Sequence, residues 1–526
     1  MGDARWFRDG RIFTGRRYVE SLAIEAGRVV AAGTTASVAR EVPTGAEVAR
    51  LEGRLVIPGL IDARLHLPEI TRARTSLDVR GVPSFEELVE RLREFALRCP
   101  DQVIVGHGWE AEQFREARDP DHSVLDRAVA DRPVILYHTS GHAAVVNRAA
   151  LDAAGWERSS PDPPHGRLGR AVDGTPDGRL YEGALRSIGT VLHATYPPSV
   201  PALAETLREM ASLGITSAAT MNVGPDELRT LRSLADEVPL RPRLRVYLNL
   251  ACAAQRTDAE LRPAGPEGSF AVVGVKGFTD GAFGPRTAWL SAPYSDRSQE
   301  SGLPASSEEE LAEAIAQAAG RGLTPALHAI GDRAVLRAAH LLEPWVGRLS
   351  RPARVEHAAL TPPDVLRELE RVRPALVVQP GFLWSDAWLL QRLGSARTRW
   401  AYAFRSLLDR GLLLAGSSDA PYDSLDPWRG VRACVERADP LGRSASPSPL
   451  EAIPVEEALA LYTGHGGLVL GEPELGSLEP GARADLVVLD SRDLAEAVAA
   501  GSDRVRETWV GGIRVSPTSA EGPGNV

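Results

Sequence analysis

The segment Val273-Gly274-Val275-Lys276-Gly277-Phe278-Thr279-Asp280-Gly281 is the most informative stretch of this chain for its fold and its chemistry. Its apolar residues form a short strand, and Lys276 is the only lysine among 60 lysine and arginine residues. Arginine stays protonated in proteins, whereas a desolvated lysine can lose its proton. The neutral amine can act as a base, form a Schiff base or take up carbon dioxide as a metal-binding carbamate. A functional lysine is one interpretation, and chance survival in an arginine-rich composition is the other.

Seven further segments read as short apolar strands: Leu55–Leu67, Thr216–Val223, Leu244–Leu250, Thr324–Ile330, Ala353–Ala358, Ala375–Pro380 and Leu412–Asp419. The lysine strand, Ala271–Asp280, makes eight. Amphipathic runs such as Ser307–Ala319 and Ala334–Leu342 lie between most of them. Eight units of strand and helix predict an α/β fold, a (β/α)8 TIM barrel, which we expect over residues 55–67 and 201–465.

The gap between the first and second strands is too long for one helix, so we expect residues 68–200 to form an inserted α+β subdomain. It includes the strand-like segments Val103–Trp109 and Pro133–Val146. The stretch Ser159–Gly178 is rich in proline, glycine and aspartate, which predicts a loop.

Both ends of the chain are β-rich. Hairpin signals occur at Asp9-Gly10 and in Leu22–Val30, and Gly511-Gly512 lies between two strand-like runs near the other end. We therefore expect residues 1–54 and 466–526 to build one small β-sandwich domain together.

Composition excludes several classes of protein. The formal net charge is −10 and no basic run is present, which argues against binding to nucleic acid. Three scattered cysteines provide neither a disulfide framework nor a cysteine-based zinc site. The amino terminus lacks an apolar signal core and no apolar run approaches membrane-spanning length. We expect a cytoplasmic protein with no membrane partner.

Several predicted strands end in residues that bind metals or transfer protons. The first ends at His66 and the fourth holds Lys276, while the fifth, sixth and eighth end at His328, His357 and Asp419. The carboxyl ends of barrel strands converge on one face, where active sites form. A lone histidine is more often structural, but four such strand ends together with the only lysine predict a metal site.

The order of short motifs along the chain resembles the amidohydrolase superfamily, and within it the YtcJ-like metal-dependent hydrolases. These motifs lie at residues 56–63, 141–147, 275–281, 286–288, 293–296, 328–334, 354–357, 379–380, 416–421 and 481–490. They run essentially from end to end and keep the order of the family.

This resemblance implies a hydrolase of amide-like C–N bonds that uses one or two divalent ions. Lys276 matches the carbamylated bridging lysine, and His328 and His357 match the later metal histidines. Asp419 matches the aspartate that binds metal and shuttles the proton of the attacking water. His142, from the insertion, would contact the substrate or the oxyanion, with a structural hydrogen bond as the alternative.

One position departs from the family, whose first strand carries His-x-His where this chain has Arg64-Leu65-His66. A guanidinium cannot ligate a cation, so the first metal position is expected to be weakened or empty. Arg64 would instead pair with Asp419 or with a carbamate. We expect one divalent ion per chain rather than two, with Zn²⁺ as the expected metal. The candidate ligands are His66, Lys276, His328, His357 and Asp419, and the candidate catalytic residues are Asp419, His142 and Arg64.

Neighbouring residues have two readings each. Three aromatic residues after predicted strands either line an apolar pocket or pack in the core: Trp109, Phe382 and Trp384. Three acids beside the candidate ligands are expected to orient the histidines: Asp280, Asp332 and Glu356. Arg286 either fixes a loop or binds a carboxylate.

Three functions remain open from the sequence. The first is a metal-dependent hydrolase of a small N-acyl, N-formyl or carbamate compound. The second is a metal-independent lyase or isomerase that uses Arg64 as an electrophile, and the third is a non-catalytic binding protein. The substrate is not readable, because fold does not fix function, and a homodimer is left open.

Overall fold

The computed structural model describes residues 4–99, 103–192, 198–237, 240–257, 260–261, 263, 268–438 and 448–516. Its centre is a parallel sheet of eight strands, which confirms the predicted barrel. In chain order these barrel strands are Leu60–Leu65, Ile215–Val223, Arg243–Asn249, Phe270–Phe278, Thr324–Ala329, Arg354–His357, Ala375–Val378 and Leu414–Gly416. Two backbone hydrogen bonds join the last strand end to the first, from Asp419 to the Arg64 carbonyl at 2.9 Å and from His66 to the Ala420 carbonyl at 2.8 Å.

Helices cover the outside of the barrel because each has one apolar face. Helix Glu308–Gly320, close to the predicted Ser307–Ala319, buries Leu311, Ile315 and Ala318 and starts with a capping box of Ser307 and Glu310. The helices from residue 200 onward are Val200–Ser212, Pro225–Glu237, Leu250–Gln255, Glu308–Gly320, Asp332–Leu342, Pro363–Val372, Phe382–Ser385, Leu389–Thr398, Phe404–Asp409, Pro427–Glu436, Val455–Leu461, Gly464–Val469 and Leu494–Ala500.

The insertion after the first barrel strand is an α+β unit, as predicted. Its six strands are Leu77–Asp78, Ile104–Trp109, Val134–His138, Ala143–Val146, Gly166–Arg170 and Pro176–Glu182, and its helices are Leu67–Ala73, Phe85–Arg98, His122–Asp126, Arg148–Ala153 and Gly183–Val191. The predicted loop Ser159–Gly178 is wrong in part, because Gly166–Arg170 pairs with Pro176–Glu182 as a hairpin. Leu168 opposite Leu180 supplies its buried pair, which the surrounding turn residues concealed in the sequence.

Strands from both ends of the chain form two facing sheets, as expected for the terminal β domain. One sheet holds Arg5–Arg8, Ser21–Glu25, Arg28–Gly33 and Glu47–Arg50, and the other holds Arg11–Phe13, Tyr18–Val19, Leu55–Pro58, Leu486–Leu489, Val505–Val510 and Ile513–Ser516. Phe7 and Leu22 of the first sheet share a core with Val56 and Trp509 of the second.

Two of the three predicted hairpins are confirmed. Ser21–Glu25 pairs with Arg28–Gly33, and Val505–Val510 pairs with Ile513–Ser516. The hairpin at Asp9-Gly10 is wrong, since the strands on either side of it belong to different sheets. Asp9 has a φ of 63°, and the chain turns there from one sheet into the other.

The predicted first strand, Leu55–Leu67, is two strands. Leu55–Pro58 pairs with Leu486–Leu489 in the terminal sheet, and Leu60–Leu65 enters the barrel. Gly59 separates them at a point where a Cβ would lie 2.3 Å from the Thr216 hydroxyl oxygen, so the crossing needs glycine. The boundaries of the units themselves stay predictions. In the described part of the chain, no helix has the length and apolar character needed to cross a membrane.

Candidate functional site

Arg64 is built into the mouth of the barrel as the ionic partner of Asp419. Its side chain is 3% exposed, and its Nε donates to Asp419 Oδ1 at 2.6 Å while Nη2 donates to Oδ2 at 3.3 Å. Nη1 lies 3.4 Å from Glu356 Oε2, so the guanidinium faces two buried carboxylates. A planar fork on a carboxylate is the geometry in which arginine pairs most strongly. The contact is the one expected from the sequence.

Asp419 follows the eighth barrel strand and is held in an ionised state. His66 Nε2 lies 3.2 Å from Asp419 Oδ1, the oxygen that Arg64 Nε also contacts, and 3.3 Å from Arg64 Nη2. Burial would raise the pKa of Asp419, but the charge of Arg64 and the hydrogen bond with His66 outweigh it and hold that pKa well below its usual range. A positive charge therefore stands beside Asp419 without any metal at the first-strand position.

His328 and His357 bring two ring nitrogens within 2.9 Å of each other, His328 Nδ1 and His357 Nε2. The other nitrogen of each ring fixes its tautomer. Gln379 turns its amide oxygen to His357 Nδ1 at 2.5 Å, because its Nε2 already donates to the Val377 carbonyl and to Ser417. His328 Nε2 lies 3.0 Å from the Gly281 carbonyl. Oxygens of this kind only accept, so the outer nitrogens carry the hydrogens.

The two inner nitrogens of this pair therefore present lone pairs to each other. Burial, first of all, lowers the pKa of both His328 and His357 well below the usual value, so the rings are neutral. Two facing lone pairs repel unless a cation lies beside them, and fixing the outer N–H on a carbonyl is how proteins prepare histidine as a metal ligand. The pair fits a metal ion, whereas the guanidinium of Arg64 does not fit one at the first-strand position.

Lys276 lies beside this pair, on the fourth barrel strand, with 1% of its surface exposed. Its Nζ donates to the Gly277 carbonyl at 3.0 Å and lies 3.5 Å from the centre of the Phe278 ring. Burial, followed by the charge of Arg64, lowers the pKa of Lys276 well below its usual value. In the described ranges, no group of three or more His, Cys, Asp or Glu side chains is placed to hold a metal ion. The two histidines thus need a further ligand of another kind.

His142 enters the site from the insertion. Its ring centre lies 4.7 Å from that of His328, and its Nδ1 lies 3.0 Å from Glu182 Oε2. A carboxylate accepts, so Nδ1 carries the hydrogen, and His142 Nε2 has no protein partner among the described residues. His142 lines the same cavity as His328 and Asp419, and its role there stays a prediction.

Glu182 was missed by sequence reasoning. It is 6% exposed, its backbone has a φ of 51° and a ψ of −116°, and its Oε1 is buried without a hydrogen-bond partner. A Cβ on Gly281 would lie 1.9 Å from that oxygen, so glycine in the lysine motif lets Glu182 approach. Backbone strain of this kind persists where the surroundings over-determine the conformation, often at functional sites. The sequence carries little signal for it, because the strand Pro176–Glu182 reads Pro-Asp-Gly-Arg-Leu-Tyr-Glu and shows no apolar pattern.

A cavity of about 700 Å³ opens above these residues between the barrel and the insertion. Phe382 lines it with its ring nearly parallel to that of His357, 6.2 Å between centres, and Trp384 lies on the same wall. Phe382 therefore fits the pocket interpretation, whereas Trp384 both lines the cavity and packs in the buried core. Trp109 is instead buried in the core of the insertion, where its Nε1 donates to the Leu136 carbonyl at 2.9 Å.

The three acids that were expected to orient the histidines bind other groups instead. Asp280 accepts backbone N–H groups from Trp289, Ile330 and Gly331 at 2.8–3.0 Å, and burial raises its pKa to about 8; its nearest oxygen is 3.7 Å from His328 Nε2. Asp332 holds Ser291, and Glu356 holds Arg354 and Arg64. The expectation was wrong because a carbonyl and an amide, which the sequence does not mark, orient the rings.

Arg286 fixes a loop, which decides between its two readings. Its Nη2 lies 2.7 Å from Asp296 Oδ2, and Arg392 contacts the same carboxylate oxygen at 2.6 Å. Arg286 and Asp296 both follow the fourth barrel strand, so their ion pair holds this loop together, and Arg392 joins it to the segment after the seventh strand.

Comparison with known proteins adds to this geometry. The chain matches the Amidohydrolase family over residues 47–516. It is 31% identical over 463 residues to the putative amidohydrolase YtcJ of Bacillus subtilis, covering 85% of each chain. It is 28% identical over 519 residues to the N-substituted formamide deformylase of Arthrobacter pascens, covering 94% of each. A metal-dependent hydrolase from Pyrococcus horikoshii superposes with a TM-score of 0.78 at 29% identity, covering 96% of this chain and all of that one.

Proposed function

The chain belongs to the amidohydrolase family, and on that premise we propose that it hydrolyses an amide-like C–N bond of a small molecule with the help of one divalent ion. Membership confirms the family and the metal-dependent hydrolase class that its motifs indicated. N-acyl, N-formyl and carbamate compounds are the proposed substrates. The similarity to a formamide deformylase supports the N-formyl class in particular.

The observation that carries this proposal is the pair of neutral imidazoles with facing lone pairs, His328 Nδ1 and His357 Nε2, at the floor of a cavity. We propose that these two nitrogens hold the ion and that Lys276, carbamylated, provides a further ligand. Lys276 is the only lysine of the chain and is buried beside them. Nitrogen and oxygen donors in small number suit Zn²⁺.

An ion at this place would supply Lewis acidity to a substrate carbonyl and to a water. Asp419 takes a proton from the water that attacks the carbonyl carbon. It returns that proton to the nitrogen as the C–N bond breaks, which leaves a carboxylic acid and an amine. Proton transfer by a positioned group contributes roughly 10²–10⁴-fold to such reactions. His142, oriented by Glu182, faces the same cavity and can donate from Nε2 to the developing oxyanion when protonated.

Arg64 is the residue at which this site departs from the pattern of the family. Its fork on Asp419 puts a fixed positive charge where the family has a histidine ligand, so we propose one ion per chain rather than two. His66 keeps its contact with Asp419, and its Nδ1 is buried without a partner in the described structure. In this proposal Arg64 orients the proton-shuttling carboxylate instead of completing a second metal site.

Metal analysis and turnover test the proposal together. Protein purified without chelator should contain about one divalent ion per chain and should hydrolyse members of an N-formyl and N-acyl amine panel. A metal content near two would overturn the role given to Arg64. A metal content near zero without turnover would favour the binding protein, and turnover without metal would favour the lyase or isomerase. A cytoplasmic location and a homodimer stay predictions.

A further inference from the structure

We propose that one end of the cavity binds a cationic nitrogen group, so that the substrate carries an ammonium or guanidinium as well as its scissile C–N bond. The part of this inference that concerns the scissile C–N bond rests on the proposed function. The region, called here the acidic end, is formed by Glu110, Asp386, Trp384, Trp388 and Tyr402, which all line the cavity.

Two carboxylates of the acidic end have neutral partners only. Glu110 accepts from the indole N–H of Trp388 and, at 3.0 Å, from Gln113. Asp386 accepts from the hydroxyl of Tyr402 through Oδ2, and its Oδ1 has no hydrogen bond among the described residues. No described lysine or arginine comes within ion-pair distance of either. Glu110 is 6% exposed and Asp386 is partly exposed. A buried carboxylate without an ion-pair partner is costly, which prepares this region for a cation.

Nearby arginines are already committed to other acids. Arg392 pairs with Glu112 and Asp296, and Arg429 lies 3.4 Å from Asp423. These pairs take up Glu112 and Asp423, which also line the cavity, whereas Glu110 and Asp386 have no ion-pair contact and feel Arg392 only at longer range. Burial, with a smaller contribution from neighbouring acids, raises the pKa of Glu110 to about 7 and that of Asp386 to about 8, although Arg392 lowers both in part.

The indole nitrogen of Trp384 gives a second and independent indication of a ligand. Trp384 is 6% exposed, and its indole nitrogen is buried without a hydrogen-bond partner in the described structure. Trp388 and Tyr402, which hold the two carboxylates, add two further aromatic rings to the wall. Arginines already lie over two of these rings, Arg429 at 5.3 Å from the centre of the Trp384 ring and Arg392 at 5.3 Å from that of Trp388. The unpaired N–H of Trp384 still calls for an acceptor on a ligand. An amide with a distant cationic group offers both a cation and a carbonyl acceptor.

Apart from Glu110, the residues of the acidic end lie between the seventh and eighth barrel strands, next to the reaction centre. Phe382, Trp384, Asp386 and Trp388 follow the seventh barrel strand at alternate positions, and the Phe382 ring faces that of His357. Glu110 comes from the insertion, so the subsite exists only where the two units meet. A substrate held there by its charge would place its amide toward the histidines.

Binding of a matched pair of probes tests the subsite without any need for turnover. Calorimetry with the metal-loaded protein would compare butylammonium with butanol at about pH 9, where an alkylammonium is still charged. Butylammonium should bind at least about tenfold more tightly, as expected for hydrogen bonds between charged groups. Asp386→Asn and Glu110→Gln should each lose most of that preference, because the amides keep acceptors for Tyr402 and Trp388 but lose the charge.

Glu507→Gln is the matched control, since Glu507 also accepts from an indole, that of Trp509, in the terminal β domain. It should keep the full preference. Equal affinity for the two probes, or a preference that survives in both Asp386→Asn and Glu110→Gln, would overturn the subsite.

Turnover separates this inference from the proposed function. N-formylputrescine should be hydrolysed with a higher kcat/KM than N-pentylformamide, which has a methyl group in place of the ammonium. Equal hydrolysis of both would overturn the subsite and leave the hydrolase standing. Selective binding of butylammonium with no hydrolysis of any amide would support the subsite and refute the hydrolase.

Discussion

Replacing Arg64 by methionine tests whether the guanidinium is the built-in countercharge of Asp419. The change keeps much of the side-chain length and removes the fork at 2.6 and 3.3 Å. Breaking a buried ion pair by removing one partner costs about 3–5 kcal/mol. A chain of 526 residues has an unfolding entropy of roughly 1.1 kcal/mol per kelvin, so the melting temperature of the metal-free protein should fall by about 3–5 °C.

Differential scanning calorimetry of chelator-treated protein measures that fall. Arg243→Met is the matched control, because Arg243 and Asp485 form another pair with side chains 4% and 1% exposed, between the barrel and the terminal domain. It should lose comparable stability and keep the metal content of the wild type. An Arg64→Met protein that melts at the wild-type temperature would refute the countercharge argument.

Arg64→His extends the same test to function. It restores the His-x-His pair, so elemental analysis should find close to one additional ion per chain. If Arg64 has been recruited to hold Asp419, activity should fall in this variant, and Arg64→Lys should not rescue it because lysine lacks the planar fork. An Arg64→His protein that gains metal and outperforms the wild type on every substrate would show that the site had merely lost a ligand.

Three further outcomes follow from the structure. Lys276→Arg should lose bound metal and activity although the charge is kept, as elemental analysis and turnover will show; normal metal binding would contradict the role of Lys276. Glu182→Gln should lower kcat by about 10–100-fold with little change in KM, because it removes the charge that orients His142; an effect on KM alone would assign Glu182 to binding. Asp386 has a folded pKa of about 8 against a usual 3.8, so its contribution to stability is full at low pH and is lost as pH rises through that window. The melting temperature of Asp386→Asn should therefore rise relative to the wild type between about pH 4 and pH 8, and a constant difference would contradict this assignment.

The residues at the strand ends show how much of the site could be predicted from the sequence. Lys276, His328, His357 and Asp419 were predicted at the carboxyl ends of barrel strands, and the structure brings them to one face as the geometry of parallel strands requires. The contact between Arg64 and Asp419 was also foreseeable, because a buried guanidinium in a ring of acids has few partners. These inferences depend only on strand register and on the chemistry of single residues.

Other parts of the site depended on contacts between distant segments. Glu182 reaches His142 only because two strands of the insertion pair beside each other and Gly281 leaves room for its oxygen. Gln379 and the Gly281 carbonyl orient the histidines, although three nearby acids were the expected candidates. Every residue has a backbone carbonyl, so the sequence does not show which carbonyl orients a histidine.

The sequence by itself determined the barrel, the terminal β domain and the identities of the metal-binding candidates, because periodicity and residue type are local properties. Only the tertiary structure decided that Leu55–Pro58 belongs to the terminal sheet, that the imidazole lone pairs face each other, and that Glu110 from the insertion meets Asp386 at one end of the cavity. These depend on which surfaces pack together across hundreds of residues. Burial and countercharge are properties of that packing, and they decide the charge state of each group.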